Sequence, residues 1–233
     1  MGAEITERIF INDKDISELG VRIPRDSISI GGLKVTNDYF QGRNRSQFTL
    51  MAVTYGLKSV KFNAVISAKF LRDAKLQKSE FEALMFNGCE IFLHDGFYYR
   101  CMLDKIGDDN TKGVDGFGVM IECTYELSGI QHDKLETIID GSSFMVKGTL
   151  PRMDCILTAK VGANAATYSL GGAVFNNVSK DDVLVVDGIN KRFLKNGAWT
   201  TAESWITFPY VVPGENSFTA ADTVQVQYYP SYI

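Results

Sequence analysis

The sequence predicts a mainly β protein in two domains, the first carrying one short helix and the second a β-sandwich. Three observations carry this. Short apolar runs punctuated by Gly, Asn and Asp recur along the whole chain. Only one stretch, near residues 79–88, has helical periodicity flanked by start and stop signals. The character of the sequence changes over residues 128–145, where Ser128-Gly129, mixed polar residues and Asp140-Gly-Ser-Ser143 replace the strand-like runs.

In chain order, Ile9-Phe10-Ile11, Leu19 to Ile23 and Ile28-Ser29-Ile30 read as short strands, broken by Gly31-Gly32. Residues 37–47 are polar and read as a long loop or hairpin tip. Phe48–Thr54 and Val60–Ile66 read as strands. Ser79-Glu80-Phe81-Glu82 matches a capping box, with Phe81, Leu84 and Met85 forming an apolar stripe and Asn87-Gly88 a left-handed stop. Asp95-Gly96 between Glu90–His94 and Phe97–Leu103 predicts a two-residue primed turn. Residues 107–118 read as a flexible acidic connection, and Val119–Leu127 as the last strand of the domain.

Beyond the linker the chain reads as almost entirely β. Cys155, Leu157, Ala159 and Val161 alternate with polar or second-face residues. Asp187-Gly188 and Asn196-Gly197 predict a three-strand meander with Leu194 opposite Trp199. Val224, Val226 and Tyr228 alternate in a final strand. This spacing suits a sandwich of about 90 residues.

Composition narrows the function. The formal charge is −4; residues up to 145 hold 17 basic and 21 acidic side chains, and the remainder seven of each. That lacks the basic footprint of a phosphate-gripping protein. No apolar run approaches the ~18 residues of a membrane span. The N-terminus does not read as a signal peptide, and Met1-Gly2 with Thr6 matches the myristoylation pattern only loosely. Cys89, Cys101, Cys123 and Cys155 have no metal or redox spacing and read as buried free thiols. His94 and His132 lack partners at motif spacing, and no hydrolase, P-loop, zincin or dinucleotide motif occurs. Asp108–Gly113 opens like a calcium loop, but Lys112 takes a ligand position and Val119 the place of the bidentate Glu. No enzyme, metal or cofactor is expected. The aromatics of the second domain suit core and interface; Trp199 or Trp205 as a sugar platform is the alternative.

The most specific stretch runs through Trp205, Phe208-Pro209 and Pro213-Gly214-Glu215-Asn216, then Val224 to Ile233. Pro209 and Pro213 fix φ and cannot donate to a ladder. Pro213-Gly214 makes a tight turn that Asn216 can bond around. With Val186-Asp187-Gly188, Lys191 and Asn196-Gly197 upstream, and the opening from Phe10 to Val21, this resembles the distal tail proteins of siphophages. The resemblance touches both ends; residues 31–128 match in element order only.

The resemblance implies a tail-tube-like β-sandwich or split barrel with one short helix over residues 1–138. A galectin-like β-sandwich follows over residues 139–233. It also implies a virion protein of the tail tip, assembled in the host cytoplasm as a hexameric ring. Its partners are further copies of itself, the major tail tube protein, the tape-measure protein, the tail-tip hub protein and a receptor-binding protein. DNA passes through the ring without specific binding, and no membrane is engaged. The acidic first domain suits such a bore. A carbohydrate-binding β-sandwich module aiding host-surface adhesion is the alternative. Trp205, Phe208, Pro209, Pro213, Gly214 and Asn216 are structural motif residues in this reading, not chemical ones.

Overall fold

In the computed structural model, residues 8–41, 49–114, 118–139, 143–218 and 220–233 are described. The chain forms two compact units, Met1–Gln131 with Ile233, and His132–Tyr232. Residues 132–138 therefore fall in the second unit rather than the first. The reason is local: Asp133 N–H donates to Pro230 O, and Glu136–Ile139 pairs with Val224–Tyr228, a contact too short to show as periodicity.

The strands of the first unit, in chain order, begin with β1 (Phe10–Ile11), β2 (Lys14–Asp15), β3 (Val21–Arg22), β4 (Ser29–Ile30), β5 (Val35–Phe40) and β6 (Thr49–Tyr55). They continue with β7 (Lys58–Ala68), β8 (Cys89–Phe92), β9 (Tyr98–Ile106), β10 (Asn110–Val114) and β11 (Gly118–His132). The main sheet has the order β2-β1-β8-β9-β11-β7-β3, with β10 added to β11 and β4 to β7. β7 and β11 pair antiparallel from Lys58↔Gly129 to Ala68↔Val119. Period-2 alternation puts Val60, Phe62, Ala64 and Ile66 on one face with Ile121, Cys123, Tyr125 and Leu127, all buried.

The single α-helix among the described residues, α1 (Leu71–Ala83), covers that face. It starts nine residues before the capping box suggests, because Leu71-Arg-Asp-Ala-Lys-Leu-Gln-Lys is rich in good helix formers. Ser79 thus lies inside the helix, and Glu82 does not reach back to cap. Its carboxylate instead accepts from Lys78 Nζ and from Tyr125 OH at 3.0 Å. Phe81 and Met85 are buried, and Tyr125 packs edge-on against Phe81 at 5.3 Å and stacks on Phe62 at 5.6 Å. Gly88, at φ +82°, ends the segment.

Three sequence expectations change here. Residues 37–40 are strand: β5 pairs with β6 as a long hairpin, and the remainder of the expected loop lies outside the described residues except Gln41. Residues 110–114 are strand too, paired with β11 so that Lys112 Nζ meets Glu122 at 2.7 Å. Asp95-Gly96 is not a two-residue primed turn, since only Gly96 has positive φ (+83°) and residues 93–97 all lie between the strands. Asp95 instead accepts from Phe97 N–H and Tyr99 OH, closing a wider turn.

The second unit contains β12 (Glu136–Ile139), β13 (Phe144–Val146), β14 (Met153–Lys160), β15 (Ala165–Leu170), β16 (Ala173–Val178), β17 (Val183–Asp187) and β18 (Arg192–Lys195). β19 (Ala198–Thr200), β20 (Ser204–Trp205), β21 (Tyr210–Val211), β22 (Gly214–Asn216), β23 (Val224–Tyr228) and β24 (Ser231–Tyr232) follow. One sheet has the order β12-β23-β14-β17-β18-β19, with β21 on the end of β14; another has the order β15-β16-β20. Leu157, Ala159, Leu184, Val186, Val224 and Val226 of the first share one core with Tyr168, Leu170, Ala173 and Phe175 of the second. This is the mainly β architecture the sequence predicts. The meander β17-β18-β19 is present, with Leu194 opposite Trp199. Asn196 (φ 52°) and Gly197 (φ 79°) both take the positive φ of a primed turn.

Candidate assembly surfaces

The C-terminal motif residues form two separate groups. In the first, Phe208 stacks on Phe193 at 5.1 Å while Trp205 meets the same ring edge-on at 5.2 Å. Lys191 Nζ lies 5.5 Å from the Phe208 ring centre and 2.8 Å from Asp154. Pro209 O accepts from Cys155 N–H, and Gly188 N–H donates to Cys155 O. A Cβ on Gly188 would stand 2.5 Å from Pro209 O and 2.6 Å from Cys155 O. Gly188 is therefore glycine for close approach, not for a primed turn. Asp187 ends β17 and organises residues 188–191 by accepting from Ile189 N–H, Asn190 N–H, Asn190 Nδ2 and Arg192 Nε. Burial pushes the Asp187 carboxyl up, but these donors outweigh it and hold it below the usual carboxylate range.

The second group is the turn after Pro213. Gly214 has φ +99°. Asn216 Oδ1 accepts from Val212 N–H at 2.9 Å, and its Nδ2 donates to Val212 O and Gly214 O. β22 then pairs with β13. Each of these residues holds backbone in place.

The two tryptophans diverge. Trp199 stands on the face of Leu194, is 76% exposed, and has the Arg192 guanidinium 5.9 Å from its ring. Trp205 lies against Phe193, on the core side of the same strand.

The most unusual surface of the first unit is the β5–β6 hairpin, of which sequence reading took residues 37–47 as a polar loop or hairpin tip and Phe48–Thr54 as a strand. Val35, Tyr39, Phe40, Leu50, Met51 and Tyr55 are exposed, with Phe40 at 65% and Met51 at 68%. Among the described residues the two strands pair only with each other, and none of these side chains belongs to the core. The signal was present in Phe48–Thr54 but not in the segment opposite, where Asn37, Asp38 and Gln41 mask the apolar residues.

A second feature had no signal at all. Arg8, Arg22 and Arg25 line one cavity of about 380 Å³ with His94, over Ile9, Ile16, Val21 and Ile23. Arg8 is 3.6 Å from Asp15; among the described residues Arg22 and Arg25 form no ion pair. The four thiols are buried, and burial pushes Cys89 up to about 11 and Cys155 up to about 12. Such thiols are poor nucleophiles at neutral pH.

No family model matches this sequence, and no curated protein matches it. Solved structures do. The SPP1 Dit protein, described as a paradigm of the hub adsorption apparatus in phages infecting Gram-positive bacteria, superposes with a TM-score of 0.66 at 10% identity. The match covers 97% of this chain and 99% of that one. This chain has the Dit fold. A chain of the phage p2 baseplate in its activated conformation with Ca matches with a TM-score of 0.55 and 10% identity over 93% of this chain and 92% of that one. The form with Sr gives 0.55 and 11% over 95% and 97%. At 97% of the chain, the match takes in both units.

Proposed function

We propose that this chain is a distal tail protein of a siphophage. It forms a hexameric ring through its first unit, joins the tail tube to the tail tip and host-adhesion device, and lets DNA pass. The β5–β6 hairpin carries the reading. A two-stranded hairpin is at best marginally stable alone in water, and this one exposes six large apolar side chains. A patch of this kind marks a protein interface. Laid against a neighbouring copy it becomes part of a ring, and a head-to-tail ring needs two different surfaces per copy. The Dit-like fold over almost the whole chain supports the same role.

The second unit serves as a docking platform for adhesion components, held together by the Phe193–Phe208 and Asn216 arrangements. The tube, tape-measure, hub and receptor-binding proteins are the partners, the virion tail tip is the location, and no step of catalysis is assigned. Electron microscopy of the protein with its tube or hub partner tests this: rings of six support it, and a closed two-fold dimer refutes it. Trp199, 76% exposed beside Arg192, favours the second reading of a glycan contact. Titration with soluble host-wall glycans tests that; quenching lost in Trp199→Ala supports it, and no change in fluorescence ends it.

A further inference from the structure

We propose that the arginine-lined pocket of the first unit is the seat for carboxylates of a second copy of this chain, supplied by the acidic end of β9. The inference rests on the head-to-tail ring reading and adds which surfaces meet. Three arginines, Arg8, Arg22 and Arg25, line a cavity of about 380 Å³ together with Ile9, Ile16, Val21 and Ile23. Arginine presents a planar fork of donors that fits a carboxylate with two parallel hydrogen bonds. Among the described residues the only carboxylate lining the cavity is Asp15, which already accepts from Ser17 N–H and Ser17 Oγ as well as facing Arg8. Among the described residues neither Arg22 nor Arg25 has a carboxylate partner. Asp95 lines the neighbouring cavity with Arg25 but is engaged by Phe97 N–H and Tyr99 OH.

The complementary charge lies on the same unit. Asp104 and Asp108 are exposed at the far end of β9, and neither forms an ion pair among the described residues. Among the described residues Asp104 accepts only from Ser128 Oγ, while Asp109 beside them is held by Lys78 at 3.1 Å. His94 of the pocket precedes β9, and Asp104 to Asp108 sit at its other end. Arg22 stands opposite Val65, Val65 opposite Glu122 and Glu122 opposite Asn110, so the pocket and the acidic end of β9 lie three strand spacings apart, on the order of 15 Å, beyond the reach of one Arg–Asp pair. One copy cannot close this pair on itself. Two copies in head-to-tail sequence can, and the contact repeats around a ring. The apolar lining residues and separate arginines favour side-chain carboxylates over a continuous phosphate backbone.

Charge exchange tests the proposal. Variant A carries Arg22→Glu and Arg25→Glu; variant B carries Asp104→Lys and Asp108→Lys. All four side chains belong to exposed residues, and circular dichroism with thermal melting confirms folding. Each variant alone then opposes like charges at every contact, so its assembly midpoint rises about tenfold or more above wild type. Mixed in equal amounts, A and B pair at every contact and restore rings of alternating subunits, seen by mass photometry and native mass spectrometry. The milder Arg22→Gln with Arg25→Gln raises the midpoint without repulsion. Wild-type assembly by A or B alone, or a mixture that stays dispersed, overturns the proposal while leaving the ring reading intact. Failure of the wild type to form rings with its tube or hub partner overturns both. Binding of labelled duplex DNA that A loses while still assembling like wild type also overturns it, and assigns the pocket to phosphate.

Discussion

Gly188→Ala is the sharpest probe of how the second unit is held. The added Cβ would stand 2.5 Å from Pro209 O and 2.6 Å from Cys155 O, both backbone atoms. No side-chain rotation relieves this, so the strand end must move. Two hydrogen bonds sit at the contact, Gly188 N–H to Cys155 O at 2.9 Å and Cys155 N–H to Pro209 O at 3.2 Å. A hydrogen bond contributes about 1 kcal/mol net, and a buried group left unpaired costs roughly 1–3 kcal/mol. The expected loss is about 2–4 kcal/mol. For a unit of about 100 residues that lowers the melting midpoint by on the order of 10–30 °C. Both tryptophans lie in the second unit, so fluorescence reports its unfolding selectively. Gly197→Ala is the control. Gly197 has φ +79° and open space around its missing Cβ, so only the dihedral cost of about 1–2 kcal/mol applies. A Gly188→Ala protein as stable as wild type, or less perturbed than Gly197→Ala, would refute the reasoning.

Other outcomes follow from the same structure. Gly214→Val places a β-branched residue at φ +99° in open space, a strain of roughly 1–3 kcal/mol, and thermal melting by tryptophan fluorescence should show it. Denatured, the protein should release four titratable thiols without reductant; folded, it should react slowly, because burial raises Cys89 and Cys155 and removes thiolate at neutral pH. Two thiols on denaturation would reveal a bridge. The hydrogen bond from Lys195, with those from Ser179 N–H and Asn196, holds Asp182 down to about 2, against 3.8 ordinarily. A depressed folded pKa gives stability that is present above about pH 4 and is lost as pH falls toward 2. Lys195→Met should flatten that part of the stability profile, measured by urea unfolding between pH 2 and 6; an unchanged slope would count against the pairing.

What the sequence revealed depended on range. Asn196-Gly197 was legible because a primed turn requires positive φ at both residues, whatever surrounds it. The inward faces of β14 and β23 were legible because alternation survives when one face is buried, and Asn216 because its bonds reach only four residues. Asp187-Gly188 misled as to cause: the same dipeptide serves a close approach of Pro209, which is 21 residues on. The Ser79–Glu82 box misled because Glu82 is claimed by Lys78 and by Tyr125, the latter from a distant strand. The arginine pocket was invisible because residues 8–25 meet His94 only through sheet order, since β1 pairs with β8.

The most direct test of the ring account removes the apolar character of the β5–β6 hairpin. Phe40→Ser and Met51→Ser together remove two side chains that are 65% and 68% exposed in the lone chain. Full burial of such a side chain is worth about 1.5–3 kcal/mol, so about 1–2 kcal/mol each remains to be gained on assembly. The pair should weaken each contact about 30- to 1,000-fold, with the melting of the lone chain almost unchanged. Mass photometry across a concentration series, with the tube or hub partner present, should show six-membered rings for the wild type and dispersed subunits for the double variant. Rings formed by the variant at wild-type concentration, or a wild type that forms only two-fold dimers, would contradict the account.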